Sequence, residues 1–177
     1  MILRFVLLLY PQYIYAKRQL VIHERLTNPR KKTKRQIDLA LFNADGHLDL
    51  IEIKRPSVGG IFRSSHDHDN NIPSLALSKT IMQIEKYILY LQKGGGELEC
   101  ELNASYARCL PDGMLIKIVN PRGIIVFGRS RELSPDQILD FEVLRRKFAH
   151  IVDILTYDDL LMRFKNILSK LKCRTSE

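Results

Sequence analysis

Two apolar runs, Gln36 to Phe42 and His47 to Arg55, flank the four residues Asn43-Ala44-Asp45-Gly46. No other feature restricts the fold as strongly. The runs read as strands and the residues between them as a hairpin turn. Ile37, Leu39 and Leu41 on the first strand, with Leu48, Leu50, Ile51 and Ile53 on the second, put apolar groups on both faces. Strands of that kind lie inside a sheet and are covered on both sides.

The turn also sets the register. Gly accepts the left-handed conformation that closes a three-residue hairpin loop. With Ala44-Asp45-Gly46 as that loop, Asn43 pairs with His47, and Asp38 falls opposite Glu52 on one face. A four-residue loop moves the register by one and sends the two carboxylates to opposite faces.

Other elements can be placed around the hairpin. Residues 2–10 read as a short helix stopped by Pro11, and residues 19–26 as a strand. The apolar start is shorter than the ~20 residues of a membrane span. Arg4 interrupts it and no basic segment precedes it, so a buried helix is preferred to a signal peptide. Pro56 to Pro73 reads as a polar loop. Ser74 or Ser78 caps a following helix, in which Leu77, Ile81, Ile84, Ile88 and Leu91 keep helical spacing until Gly94-Gly95-Gly96. Residues 97–113 give no clear pattern. Met114 to Val119 and Ile124 to Gly128 read as a second hairpin. Ser134-Pro135-Asp136-Gln137 forms a capping box that opens a helix to about His150. Ile151 to Leu155 is a short strand, and Thr156 to Asp159 caps a last helix. Strands mixed with helices predict an α/β or α+β sheet in one domain over residues 1–177. Its core is expected over about residues 19–171.

Asp38, Glu52 and Lys54 carry the chemistry. Glu52 and Lys54 are two apart on a strand and share a face. Directly opposed carboxylates repel, and burying them is costly unless a positive charge lies between. A hard divalent cation such as Mg²⁺ meets that need with oxygen ligands and retained waters. A buried ion-pair cluster is the bland alternative for so short a triple. The 28 Lys and Arg against 20 Asp and Glu, a net charge of +8, favour a polyanionic partner. Cys100, Cys109 and Cys173 are too scattered for a disulfide framework or a zinc site and read as reduced thiols.

Asp38 followed by Glu52-Ile53-Lys54 after a hairpin turn resembles the PD-(D/E)xK nuclease superfamily, and Gln83-x-x-x-Tyr87 on the next helix adds to the likeness. Glu52-Ile53-Lys54-Arg55-Pro56, the helix around Gln83 to Tyr87 and the late Ile154-Leu155-Thr156-Tyr157-Asp158-Asp159-Leu160 look like Shedu-type antiphage defence proteins. The resemblance implies a restriction-endonuclease-like mixed sheet flanked by helices. It further implies a cytoplasmic DNA endonuclease that uses Mg²⁺, with Mn²⁺ as a substitute, within a homo-oligomer and away from any membrane. Asp38, Glu52 and the backbone carbonyl of Ile53 then become metal ligands, Lys54 the catalytic lysine and Gln83 an active-site positioning residue, with Tyr87 packing beneath. One feature departs from the pattern. Many superfamily members carry another acid on a helix before the hairpin, whereas the only acid upstream of Asp38 is Glu24, on a predicted strand. That departure keeps a second reading open, a catalytically weak nucleic-acid-binding or sensor module on the same fold.

Two further stretches are weighed. The basic run Arg30, Lys31, Lys32, Lys34 and Arg35 can grip phosphates or simply be a solvated loop. His66-Asp67-His68-Asp69 lacks zinc-type partner spacing and reads as a solvated loop.

Overall fold

A computed structural model of the chain describes residues 2–28, 30–57 and 59–174. Its centre is a five-stranded mixed sheet in the order β1-β2-β3-β6-β7. Strands β1 (Tyr13–Glu24), β2 (Thr33–Asn43) and β3 (Leu48–Ile53) are antiparallel neighbours. Strands β6 (Gly123–Val126) and β7 (Val152–Leu155) continue the sheet in parallel with β3. The remaining strands, β4 (Phe62–Asp67) and β5 (Asn70–Pro73), form a separate ribbon. This is the mixed α/β architecture expected, consistent with a restriction-endonuclease-like fold.

The apolar alternation of the central strands supplies two cores. Ala40, Phe42, Leu48 and Leu50 face a larger cluster that includes Ile84, Ile88 and Leu91 of helix α2 (Leu75–Tyr106) and Phe141 of helix α3 (Pro135–Phe148). Leu39, Leu41 and Ile51 face Tyr10 and Tyr13, with Val6 and Leu9 of helix α1 (Ile2–Leu9) and Leu160 of helix α4 (Tyr157–Arg174) packed alongside. Side chains alternate across a strand, so each central strand feeds both layers. No helix among the described residues is long and apolar enough to cross a membrane.

The central hairpin has the expected register. The ladder pairs Phe42 with Leu48 and Leu39 with Ile51. The Asn43 amide donates to the His47 carbonyl at 3.1 Å, and Gly46 closes the loop at φ 85. A side chain is excluded at Gly46 for a second reason: a Cβ there would stand 1.9 Å from the Leu115 carbonyl oxygen. Ser74 caps α2, its hydroxyl accepting from the Leu77 amide at 3.2 Å. The Ser134 capping box is present at the start of α3.

Elsewhere the structure corrects the sequence reading. The expected second hairpin does not form. Both edges of β6 are filled by parallel partners, β3 and β7, which leaves no place for an antiparallel strand from 114–119. That segment is instead tied to α2. Asn103 accepts from the Ile116 amide at 2.7 Å and Glu99 from the Ile118 amide at 2.5 Å. The Gly94-Gly95-Gly96 run ends the first helical segment as expected, at a non-helical Gly95 (φ 47, ψ −140); what the sequence did not show is the second helical segment that follows directly, to Tyr106. Leu98 and Leu102 are buried there and hold the second half against the core. The loop from 56 to 73 contains the β4–β5 ribbon, turned by His68 (φ 47) and Asp69 (φ 62). Its polar strands lack the apolar alternation that marks a half-buried strand. Strand β1 begins six residues before the expected start, at Tyr13.

Candidate active site

The site forms where the sheet opens. Strands β2 and β3 pair only as far as Leu39 and Ile51. Beyond that point β2 stays with β1, through Ile37 paired with Leu20 to Thr33 paired with Glu24. Strand β3 stays with β6, through Ile53 paired with Val126. The two central strands therefore part where Asp38 and Glu52 follow in register.

Glu52 is 2% exposed. Its Oε1 accepts from Lys54 Nζ at 2.6 Å and from Gln83 Nε2 at 2.9 Å. Gln83 Oε1 accepts in turn from Lys54 Nζ at 3.0 Å, closing a three-membered network. Glu52 Oε2 is buried without a hydrogen-bond partner. Burial pushes the Glu52 carboxyl above its ordinary pKa; the Lys54 hydrogen bond opposes the rise and the nearby Asp38 carboxylate adds to it. Asp38 Oδ2 accepts from the Ile53 amide at 3.0 Å, which fixes the second carboxylate against the end of β3. Helix α2 contributes more than Gln83. Tyr87, one turn on, donates its hydroxyl proton to the Gln36 carbonyl at 3.1 Å and accepts from Gln83 Nε2 at 3.0 Å. Tyr87 thus orients Gln83 by a hydrogen bond as well as by packing.

All the donors at this opening are oxygens: two carboxylates and the backbone carbonyl of Ile53. That set suits a hard cation that keeps much of its water. The bare, buried Glu52 Oε2 is where such a charge would be compensated. Among the described residues there is no cluster of three or more His, Cys, Asp and Glu side chains placed to hold a metal.

The upstream acid, Glu24, is engaged elsewhere. Its Oε1 accepts from Arg35 Nη2 at 3.0 Å and from the Thr27 hydroxyl at 2.7 Å, and its Oε2 accepts from the Thr27 amide at 2.9 Å. The basic run is divided. Arg35 is held by Glu24, and Lys32 pairs with Glu101, while Arg30, Lys31 and Lys34 are exposed.

The late segment quoted for its resemblance lies against this site. The Tyr157 hydroxyl donates to the Lys54 carbonyl at 2.8 Å, pinning the backbone of the lysine at the end of β3. Thr156 and Asp159 cap α4 reciprocally, at 2.7 Å and 3.1 Å, and so fix Tyr157 in place. The family model for the Shedu protein SduA, C-terminal, matches residues 5–161, from α1 into this segment. The chain belongs to that family. A search of curated proteins gives no match. Shedu membership associates the chain with antiphage defence nucleases, and the match takes in the strand opening, the Gln83 helix and Tyr157 together.

Sequence reasoning gave Tyr157 no role. The signal available was its place just after a short strand and inside a helix cap, where a side chain can reach back across the sheet. Gln19 has an unexpected backbone next to the site. It falls beside Asp38 in the β1–β2 ladder with φ 52, a conformation uncommon for a residue with a side chain. No sequence pattern marks it.

Proposed function

We propose that the protein is a Mg²⁺-dependent DNA endonuclease acting in antiphage defence. The observation that carries this reading is the opening between β2 and β3, where Asp38 and the buried, half-unpaired Glu52 meet a Lys54–Gln83 network. Asp38, Glu52 and the Ile53 carbonyl are the ligands. Bound there, Mg²⁺ (or Mn²⁺) would lower the pKa of a coordinated water and stabilise charge on a phosphodiester. Lys54 keeps a positive charge at the mouth of the site, 28% exposed at its side chain, where it can meet a phosphate oxygen or the attacking water. Gln83 holds the Lys54 ammonium and the Glu52 carboxylate in one arrangement, and Tyr87 and Tyr157 hold Gln83 and the Lys54 backbone. Assembly as a homo-oligomer belongs to the same reading. Exposed Leu139, Val143 and Met162 on α3 and α4 support it, and light scattering tests it: a strictly monomeric protein would remove it.

The second reading, a binding or sensor module that cuts poorly, is favoured by one fact: Glu24 is bound by Arg35 and Thr27 and adds no third carboxylate to the site. A cleavage assay separates the two. Plasmid and linear DNA are incubated with Mg²⁺, Mn²⁺ or EDTA, with wild type and Lys54→Ala. Metal-dependent cutting that falls about 10²–10³-fold in Lys54→Ala is expected. Binding without cutting by both proteins would replace the nuclease reading with the module.

A further inference from the structure

Helix α2 presents a basic stripe next to Gln83. Lys79, Gln83 and Lys86 stand at i, i+4 and i+7, one stripe of the helix. The opposite stripe, Leu77, Ile81, Ile84, Ile88 and Leu91, is buried in the core, so the lysines are fixed facing outward. An open groove runs along the stripe, lined by Arg35, Lys79, Met82, Gln83, Lys86, Tyr87 and Tyr90, and no carboxylate is among these residues. The neighbouring groove on the other side of Tyr90 differs. It mixes Lys32 and Lys93 with Glu24, Glu97 and Glu101, so its charges offset one another.

We infer that the acid-free groove on α2 is the track for the phosphate backbone beside the bond that is cut. This rests on the endonuclease reading and extends it by naming where the substrate strand lies. Three observations support it. Gln83 belongs both to the groove and to the Glu52–Lys54 network, so the groove leads directly into the site. Arg35 is immobilised by Glu24 and stands over the Tyr90 ring at 5.5 Å, which fixes one cation in the groove wall. Lys79 and Lys86 are about 10 Å apart along the helix axis, at 1.5 Å per residue. That span covers about three nucleotides of one strand, at 3.4 Å each. The two tyrosines are not free to stack on bases: Tyr87 is held by hydrogen bonds and Tyr90 is buried. The groove therefore recognises phosphate rather than sequence. It also moves the phosphate contacts away from the solvated end of the 30–35 run and onto Arg35 and α2.

The test is binding of a fluorescein-labelled DNA duplex, followed by anisotropy in EDTA over a range of salt. Lys79→Ala/Lys86→Ala is compared with Lys147→Ala/Lys170→Ala, which removes the same charge from α3 and α4. All four lysines are exposed, and circular dichroism verifies the fold. The groove variant should bind about tenfold more weakly, with a salt dependence shallower by about two ion equivalents, and should cut correspondingly less. Lys79→Arg/Lys86→Arg should restore binding. If the groove and control variants lose affinity equally while wild type still cuts, the track is wrong and the endonuclease reading survives. If wild type neither binds nor cuts DNA, both fail.

Discussion

Two buried glutamates, Glu24 and Glu52, each sit beside one basic residue, and the molecule treats them in opposite ways. Glu24 is 5% exposed and Glu52 2% exposed. Both oxygens of Glu24 are used, by the Thr27 amide and hydroxyl and the Arg35 guanidinium. Burial works against its ionisation, yet those hydrogen bonds outweigh it and hold the carboxyl below its ordinary range. Glu52 has one oxygen crowded by Lys54 and Gln83, the other bare, and Asp38 nearby; its carboxyl is pushed up. A satisfied buried carboxylate is an anchor. One left short of partners beside a second carboxylate is the feature on which the proposed cation site rests. Burial and charge alone do not separate the two cases; the accounting of lone pairs does.

After Glu52 itself, the largest effect expected from breaking this contrast is at Asp38. Asp38→Asn removes a proposed metal ligand, so DNA cleavage should fall by about a thousandfold, and it removes one charge of the repelling pair, so the melting temperature should stay or rise. Glu24→Ala should do the reverse. It leaves Arg35 without its carboxylate partner, so denaturant unfolding should show a loss of about 2 kcal/mol, with cleavage per folded molecule kept at saturating DNA, where any weakening of the Arg35 contact to the strand no longer counts. Next comes the cation itself. Mg²⁺ at about a hundred times its dissociation constant should stabilise wild type by about 2.7 kcal/mol and leave Asp38→Asn unmoved. Glu24 also sets a pH dependence. A carboxyl held below its ordinary value of 4.5 contributes stability above that pH and loses it as the pH falls through the folded value. Acid titration of stability should therefore be flatter in Glu24→Gln than in wild type. The smallest effect is at Tyr157. Tyr157→Phe frees the Lys54 carbonyl and should slow cleavage about fivefold, the equivalent of one hydrogen bond of about 1 kcal/mol.

What could be read from the sequence follows the range of the interactions. The central hairpin was legible because its register depends on local facts: a three-residue loop, Gly46 and two apolar runs. From that register the opposition of Asp38 and Glu52 followed; the structure keeps the register as far as Leu39 and Ile51 and parts the strands just before the two carboxylates. Gln83 and Tyr87 were legible as one face of a helix. The roles of Glu24 and Arg35 were not, because their contact joins residues on either side of a turn and shows only when hydrogen bonds are counted. Strand β6 was misread for the same reason: a four-residue apolar strand carries no mark of whether its neighbours are parallel. Tyr157 reaches the Lys54 carbonyl across 103 positions of chain. No local pattern signals such a contact.

The most direct test of the account sets the two glutamates side by side as Glu52→Gln and Glu24→Gln, measuring Mg²⁺-dependent DNA cleavage and thermal stability on both. The account predicts that Glu52→Gln abolishes cleavage and keeps the fold, while Glu24→Gln, at saturating DNA, cuts like wild type and melts at a lower temperature. Undiminished cleavage by Glu52→Gln, or loss of cleavage in a well-folded Glu24→Gln, would contradict it.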